Sequence, residues 1–258
     1  MKFTTHAPEQ TPAHALSPSQ VSTFLDCAAR WYFGRIAQLA DPPNGALALG
    51  SAIHATAAAA MRDKADRGSL CSEAAALKHF EHAIHTHLAA AQLAPDETAE
   101  TLTETGRKMV SLWHSRIAPE IAPAAVEIAI TGEIGGVSIH AIADVITADG
   151  IVIDYKTTSK KPGEIRADHA FQLATYGMLS GNDKGRIVTI TKTAEPTIAQ
   201  HTIQIGEAQR KHAEAIYPLV SAAMQSGIYP PRRSSLFCSR KHCAFWRQCV
   251  KEFGGEVH

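Results

Sequence analysis

A surplus of either charge is absent from this chain. Its 25 Lys and Arg balance 25 Asp and Glu. Zero net charge gives no global electrostatic case for nucleic acid, although it leaves room for a local basic groove. The basic pairs Lys160-Lys161, Arg232-Arg233 and Arg240-Lys241 read, taken alone, as solvated surface. No apolar run reaches the roughly 18 residues of a membrane span. Residues Met1 to Leu16 lack the apolar stretch of a secretory signal and read as a loose tail. A cytoplasmic protein is the expectation. Cysteine is scarce and odd in number, with five residues, which argues against a disulfide framework. Repeats and low-complexity tracts are absent beyond a richness in alanine. What remains is 258 residues with 45% hydrophobic and 19% charged content, the profile of one large globular domain, or a domain with a substantial insertion, with a good core.

The most informative stretch is Asp144–Lys156, D-V-I-T-A-D-G-I-V-I-D-Y-K. Val145, Ile146, Ile151, Val152 and Ile153 favour strands. Asp149-Gly150 between them signals a hairpin turn. Residues two apart on a strand share a face, so Asp154 and Lys156 project together. Pairing around the turn brings Asp144 near them. Two carboxylates and an ammonium can form a local ion pair on an exposed hairpin. They can also form a site for Mg²⁺ or Mn²⁺, hard ions that take oxygen ligands.

The surrounding elements alternate in texture. Ser17-Pro18-Ser19-Gln20 opens a helix as cap, first-turn proline and capping-box partner. Val21, Phe24, Leu25, Ala28, Trp31 and Tyr32 continue it at helical spacing. Asp41–Gly45 breaks the chain. Helices are predicted over about 48–65, 71–94 and 96–118, making 48–120 a helical subdomain. Gly50 near the first of these allows close backbone approach, and His54 follows it. The histidines at 79, 82, 85 and 87 spread over more than one face and read as surface residues. Strands are predicted at 124–131, 136–147, 150–156, 186–193 and 197–205. Helices fall at 166–180 and 206–226, the first carrying His169, Gln172 and Tyr176. Gln172 and Tyr176 are four apart and share a face. Glu127 alternates with apolar neighbours and reads as exposed.

Three of the five cysteines crowd the end of the chain, as Cys238-x4-Cys243-x5-Cys249 beside Phe237, Phe245 and Trp246. A fourth thiolate, from Cys27 or Cys71, completes a site suited to zinc or an iron–sulfur cluster. The spacing is not that of paired C-x2-C zinc ribbons.

Taken together, these residues resemble the RecB/AddB-type iron–sulfur branch of the PD-(D/E)XK nuclease superfamily, similar to exonucleases of CRISPR adaptation and of phages. L-S-P-S-Q-V-S-T-F-L-D-C (16–27) is similar to the opening helix with its first cluster cysteine. G-S-A-I-H (50–54) is similar to the G-x-x-x-H motif, Asp144 to the first acidic motif, I-D-Y-K-T (153–157) to the second with its lysine, and Q-L-A-T-Y (172–176) to Q-x-x-x-Y. The resemblance implies a restriction-endonuclease-like mixed sheet flanked by helices, within one domain over 1–258. It implies Mg²⁺ or Mn²⁺ on His54, Asp144, Asp154 and the Tyr155 carbonyl, and catalysis by Lys156 with Gln172 and Tyr176. It also implies a 4Fe-4S cluster on Cys27, Cys238, Cys243 and Cys249, with 232–253 as the cluster-binding tail joined to the N-terminal segment and Cys71 as the spare. Glu127 aligns with a glutamate often present in the first motif. Ala141 stands where the family often has glycine, and the x4 spacing replaces the x2 common in CRISPR-associated members, which favours a phage or stand-alone nuclease. The implied partner is DNA, single-stranded or with free ends, with a homo-oligomer or recombination protein as further partners. A nucleic-acid-binding subunit with secondary nuclease activity, in recombination or CRISPR adaptation, and a four-thiolate zinc protein are the competing readings.

Overall fold

The computed structural model describes residues 15–257. In chain order they form α1 (Pro18–Asp26), α2 (Ala28–Arg35), α3 (Gly45–Arg67), α4 (Glu73–Ala89), α5 (Ala99–Arg116), β1 (Pro123–Ile134), β2 (Val137–Thr147), β3 (Ile151–Thr158), α6 (Ala167–Ser180), β4 (Lys184–Thr191), β5 (Ile198–Gln204), α7 (Glu207–Gln225) and α8 (Trp246–Phe253). The strands make a five-stranded mixed sheet in the order β1-β2-β3-β4-β5. The β2/β3 and β4/β5 pairs are antiparallel, and β3/β4 is parallel. The mixed α/β architecture is the one read from the sequence. Most of the expected loose tail, residues 1–14, lies outside the described residues. Leu16 does not fit that expectation: its N–H donates to Ser138 O and its carbonyl accepts from His140 N, both at 2.9 Å.

The described residues divide into two compact units. The larger comprises 42–130 and 142–209, and the other comprises the described part of 1–41 with 131–141 and 210–257. In the larger unit, helix ends follow side-chain chemistry. Asn44 Oδ1 accepts the Leu47 N–H at 2.8 Å, and Ser72 caps α4. Thr98 and Thr101 form a capping box on α5, and Gly68 ends α3 in the left-handed conformation at φ 71°. Leu49, Ile53, Met61, Phe80, Met109 and Trp113 pack with Ile153 and Tyr155 of β3 in one core. Gly106 permits that packing, because a Cβ there would stand 2.0 Å from Phe80 Cζ. Because β3 pairs in parallel with β4, its connection must cross over, and α6 makes that crossover. Residues 152–155 are buried without alternation, as strands covered on both faces require.

In the other unit the helical stripe Val21–Tyr32 does not run through one helix. It breaks at Cys27, which is extended (φ −157°, ψ 103°), so Ala28, Trp31 and Tyr32 belong to α2. Trp31 and Tyr32 are buried. Tyr32 stacks on Tyr229 with centroids 4.8 Å apart, and Trp31 meets Phe24 edge-on at 5.5 Å. Both rings serve packing, as aromatic pairs of this geometry do. The tail also folds a short helix, α8, that periodicity did not reveal.

Candidate active site and thiol pocket

The hairpin turn sets the first site, which lies wholly in the larger unit. Gly150 takes φ 78°, a conformation glycine adopts freely. Thr147 Oγ1 accepts the Ile151 N–H at 2.8 Å and also bonds Asp149, pinning the turn. The register pairs Val145 with Ile153 and Ile146 with Val152. Continued by one step, it sets Asp144 opposite Asp154. Asp144 Oδ2 accepts the backbone N–H of Tyr155 at 2.7 Å, and its Oδ1 stands 3.3 Å from His54 Nδ1. His54 arrives on α3. One turn earlier, a Cβ at Gly50 would lie 2.9 Å from Thr157 Oγ1, so glycine lets the helix backbone lie against β3. The Tyr155 side chain turns inward and meets the Trp113 ring edge-on at 6.0 Å.

Lys156 Nζ stands 2.7 Å from Asp154 Oδ2 and donates to Gln172 Oε1 at 2.8 Å. Gln172 Nε2 donates to Asp154 Oδ1 at 2.9 Å and also bonds the Tyr176 hydroxyl. The structure thus brings His54, Asp144, Asp154, Tyr155, Lys156, Gln172 and Tyr176 together. Spacing pairs Asp154 with Lys156 and Gln172 with Tyr176, and sets Asp144 near the first pair, while His54 and the Tyr155 carbonyl enter only through the resemblance.

Burial raises the Asp154 carboxyl to about 6, with the Lys156 charge opposing and Asp144 assisting. For His54, burial alone would lower the pKa. The Asp144 hydrogen bond and the charges of Asp144 and Asp154 outweigh it and raise the ring above its usual value.

Among the described residues, no three His, Cys, Asp or Glu side chains are already arranged around one ion position. The donor chemistry fits a hard cation nonetheless. Asp154 Oδ2 is buried and accepts no hydrogen bond. Its 2.7 Å approach to Lys156 is an ion-pair contact that lacks hydrogen-bond angles. An oxygen with that vacancy, beside a second carboxylate and an imidazole, is the donor set oxygen-seeking divalent ions use.

Two residues have no role in the sequence reading: His169 is placed on its helix without one, and Arg62 is not singled out. His169 lies one turn before Gln172 on α6. Burial and the Lys156 and Arg166 charges overcome Asp168 and hold its pKa down at about 4. Its signal was the i, i+3 spacing to Gln172, since residues so spaced share a helix face. Arg62 pairs with Glu127. Glu127 is exposed as expected, but it sits at φ 46° and breaks the strand alternation that suggested its exposure.

The second site lies wholly in the other unit. Cys27, Cys238, Cys243 and Cys249 line one partly open pocket, together with Arg30, Arg233 and Asp26, and Cys71 does not line it. The break between α1 and α2 places Cys27 there, and its sulfur accepts the Arg232 N–H at 3.5 Å. Burial raises the Cys243 and Cys249 thiols, Arg30 and Arg233 respectively oppose the rise, and the other pocket cysteines add to it. Four thiols lining one pocket are a donor set suited to a metal–sulfur group. Trp246 stands nearby with Arg240 and Arg247 against its ring at 5.1 and 5.2 Å.

Comparison with known proteins follows the same outline. A family model of the PD-(D/E)XK nuclease superfamily matches residues 15–250. No curated protein sequence matches the chain. Among solved structures, a candidate exonuclease from Eubacterium rectale aligns over 96% of this chain and 93% of its own, with 14% identity and a TM-score of 0.60. That likeness is one of fold. The protein SSO0001 aligns over 90% of this chain and 92% of its own at 18% identity, with a TM-score of 0.39, and carries no argument.

Proposed function

Because the chain belongs to the PD-(D/E)XK nuclease superfamily, we propose that it is a metal-dependent exonuclease. It hydrolyses phosphodiester bonds of DNA, on single strands or free ends, in recombination, repair or phage DNA processing. The observation that carries the reading is Lys156 Nζ held between Asp154 Oδ2 and Gln172 Oε1, with Asp144 on the adjacent hairpin strand and His54 of α3 beside Asp144. The fold shared with a candidate exonuclease supports end-directed action.

Nucleases of this superfamily typically use Mg²⁺ or Mn²⁺. His54, Asp144, Asp154 and the Tyr155 carbonyl would hold the cation. When bound, it supplies Lewis acidity toward the phosphate and lowers the pKa of a nearby water. The chain's own residues do the rest. Lys156 presents a fixed positive charge and three N–H donors where negative charge develops on the phosphoryl group. Asp154 Oδ2 holds that ammonium at 2.7 Å. Gln172 restrains it by accepting a hydrogen bond from it, and Tyr176 fixes the Gln172 amide in turn. Asp144 receives the Tyr155 N–H, which locks the two strands that carry the carboxylates.

Cys27, Cys238, Cys243 and Cys249 would hold a 4Fe-4S cluster. In this reading it is a staple between the first helices and the tail, with no redox duty assigned.

The test is an assay on end-labelled single- and double-stranded DNA with Mg²⁺, Mn²⁺ or chelator, comparing native protein with Lys156→Ala. Release of nucleotides from ends, dependent on the cation and reduced about 10²–10³-fold in the variant, is the expected result. Equal activity in both proteins, or none in either, overturns the assignment. Strand binding without cleavage would favour a nucleic-acid-binding subunit.

A further inference from the structure

The thiol pocket contains a feature that ligation by cysteine does not explain. Arg233 Nη1 is buried and makes no hydrogen bond. The same guanidinium is tied at its other end, where Nη2 donates to Gly254 O at 2.6 Å, so it is not a loose surface side chain. Arg233 lines the pocket, and its charge acts on Cys249. Arg30 lines it from α2, its charge acting on Cys243, with its guanidinium 5.5 Å from the centroid of the Phe237 ring.

A buried guanidinium N–H without an acceptor is costly. Neutral thiols are weak acceptors and offset no charge. The one carboxylate in the lining among the described residues, Asp26, already accepts from Ser235 Oγ at 2.7 Å and stands 3.9 Å from Arg232 Nη1, so it is shared with a third cation. Four thiolates around a zinc ion, or around a 4Fe-4S cluster, make a group that carries net negative charge. Such a group provides the missing acceptor for Arg233 Nη1 and the countercharge that Asp26 alone does not supply for two guanidinium groups.

We propose that the four-cysteine pocket is built for an anionic metal–thiolate group, with Arg233 donating Nη1 to one of its sulfurs and Arg30 and Arg233 together offsetting its charge. This rests on the reading of the four cysteines as ligands. It goes beyond that reading by assigning Arg233 as a positioning residue. Hydrogen bonds and nearby charge are among the means by which proteins tune metal–sulfur groups.

The test uses the full chain, purified without oxygen. Iron, acid-labile sulfide and zinc are measured first, then the rate of metal release to a chelator, in native protein, Arg233→Gln, Arg233→Lys and Arg30→Gln. Circular dichroism confirms that each is folded. Release about tenfold faster in Arg233→Gln is expected, with Arg233→Lys restored to within a few-fold of native and Arg30→Gln between them. For an iron–sulfur group, the midpoint potential should also move negative in Arg233→Gln. Loss of a nearby cation disfavours the reduced, more anionic form, and a purely structural role would not move the potential. Unchanged release in Arg233→Gln, or equally fast release in Arg233→Lys, overturns the proposal. Should Arg233→Gln not fold, the Arg30→Gln rate decides. Zinc with the expected rate pattern would remove the 4Fe-4S reading and leave this inference standing. A native protein that binds no metal removes both, while the Mg²⁺-dependent nuclease assay stands on its own.

Discussion

Gln172 Oε1 accepts a hydrogen bond from Lys156 Nζ at 2.8 Å. The other end of the same amide donates to Asp154 Oδ1 at 2.9 Å. Only a group with a donor and an acceptor at this spacing satisfies both neighbours, which is why a neutral amide suits the position. Gln172→Leu should lower kcat about 10²-fold and leave KM for DNA nearly unchanged, because the lysine loses its restraint while the strand contacts remain. A rise in KM at constant kcat would instead make Gln172 a strand-binding residue.

Asp154 predicts a trade between stability and activity. Its folded-state carboxyl stands at about 6, above the unfolded value of 3.8. The folded state therefore holds more protons between those values, and this group loses stability as pH rises through the window. Asp154→Asn should raise the Tm in chelator at pH 7. A gain of 1 kcal/mol corresponds to about 2–4 °C in a chain of this size. The variant should lose nuclease activity and the Tm increase that Mg²⁺ or Mn²⁺ gives the native protein. Thermal unfolding with and without cation checks both.

The same carboxyl sets a pH dependence of cation binding. Protons and cation compete for Asp154, so affinity for Mn²⁺ should fall as pH drops through about 6. Titration calorimetry at several pH values measures it. A flat profile between pH 7 and 5 would contradict the ligand role.

His169 works in the opposite sense. Its pKa is held down at about 4, against 6.5 unfolded. As pH falls below the unfolded value, the unfolded chain takes up the proton first, and stability is lost between about 6.5 and 4. The drop in Tm between pH 7.5 and 5 should be smaller in His169→Asn than in the native protein. An identical drop in both would show that other groups govern the acid limb.

Gly106→Ala tests the packing of α5 on α4. Alanine should gain about 1 kcal/mol of helix propensity. Against this, a Cβ 2.0 Å from Phe80 Cζ, in a ring that is fully buried, should cost about 1–3 kcal/mol. The expected net effect is a lower Tm, by denaturation with activity followed in parallel.

Much of the fold could be read directly because its signals are local. Asp149-Gly150 marked the turn, and β-branched runs marked the strands beside it. Gly50 and His54 stood one helical turn apart, as did Gln172 and Tyr176. These spacings name the residues that share a face. They do not say what each face meets. Three elements from distant parts of the chain bring His54, Asp144 and Gln172 together, and only packing decides that. Cys27 shows the limit in another form. The apolar stripe ran past it without interruption, because the residues after it begin a second helix with an apolar face of its own. The break there is a backbone event, and it puts the sulfur into the pocket with Cys238, Cys243 and Cys249.

The sequence by itself determined the type and order of most elements, the hairpin turn and the residue types available to each site, since these depend on neighbours a few residues away. Tertiary structure alone decided that Gln172 spans Asp154 and Lys156, that His169 stays neutral beside them, and that Arg233 carries a buried, unsatisfied N–H. Each of these follows from burial and from charges brought close by residues far apart in the chain, quantities that do not exist until the chain is folded.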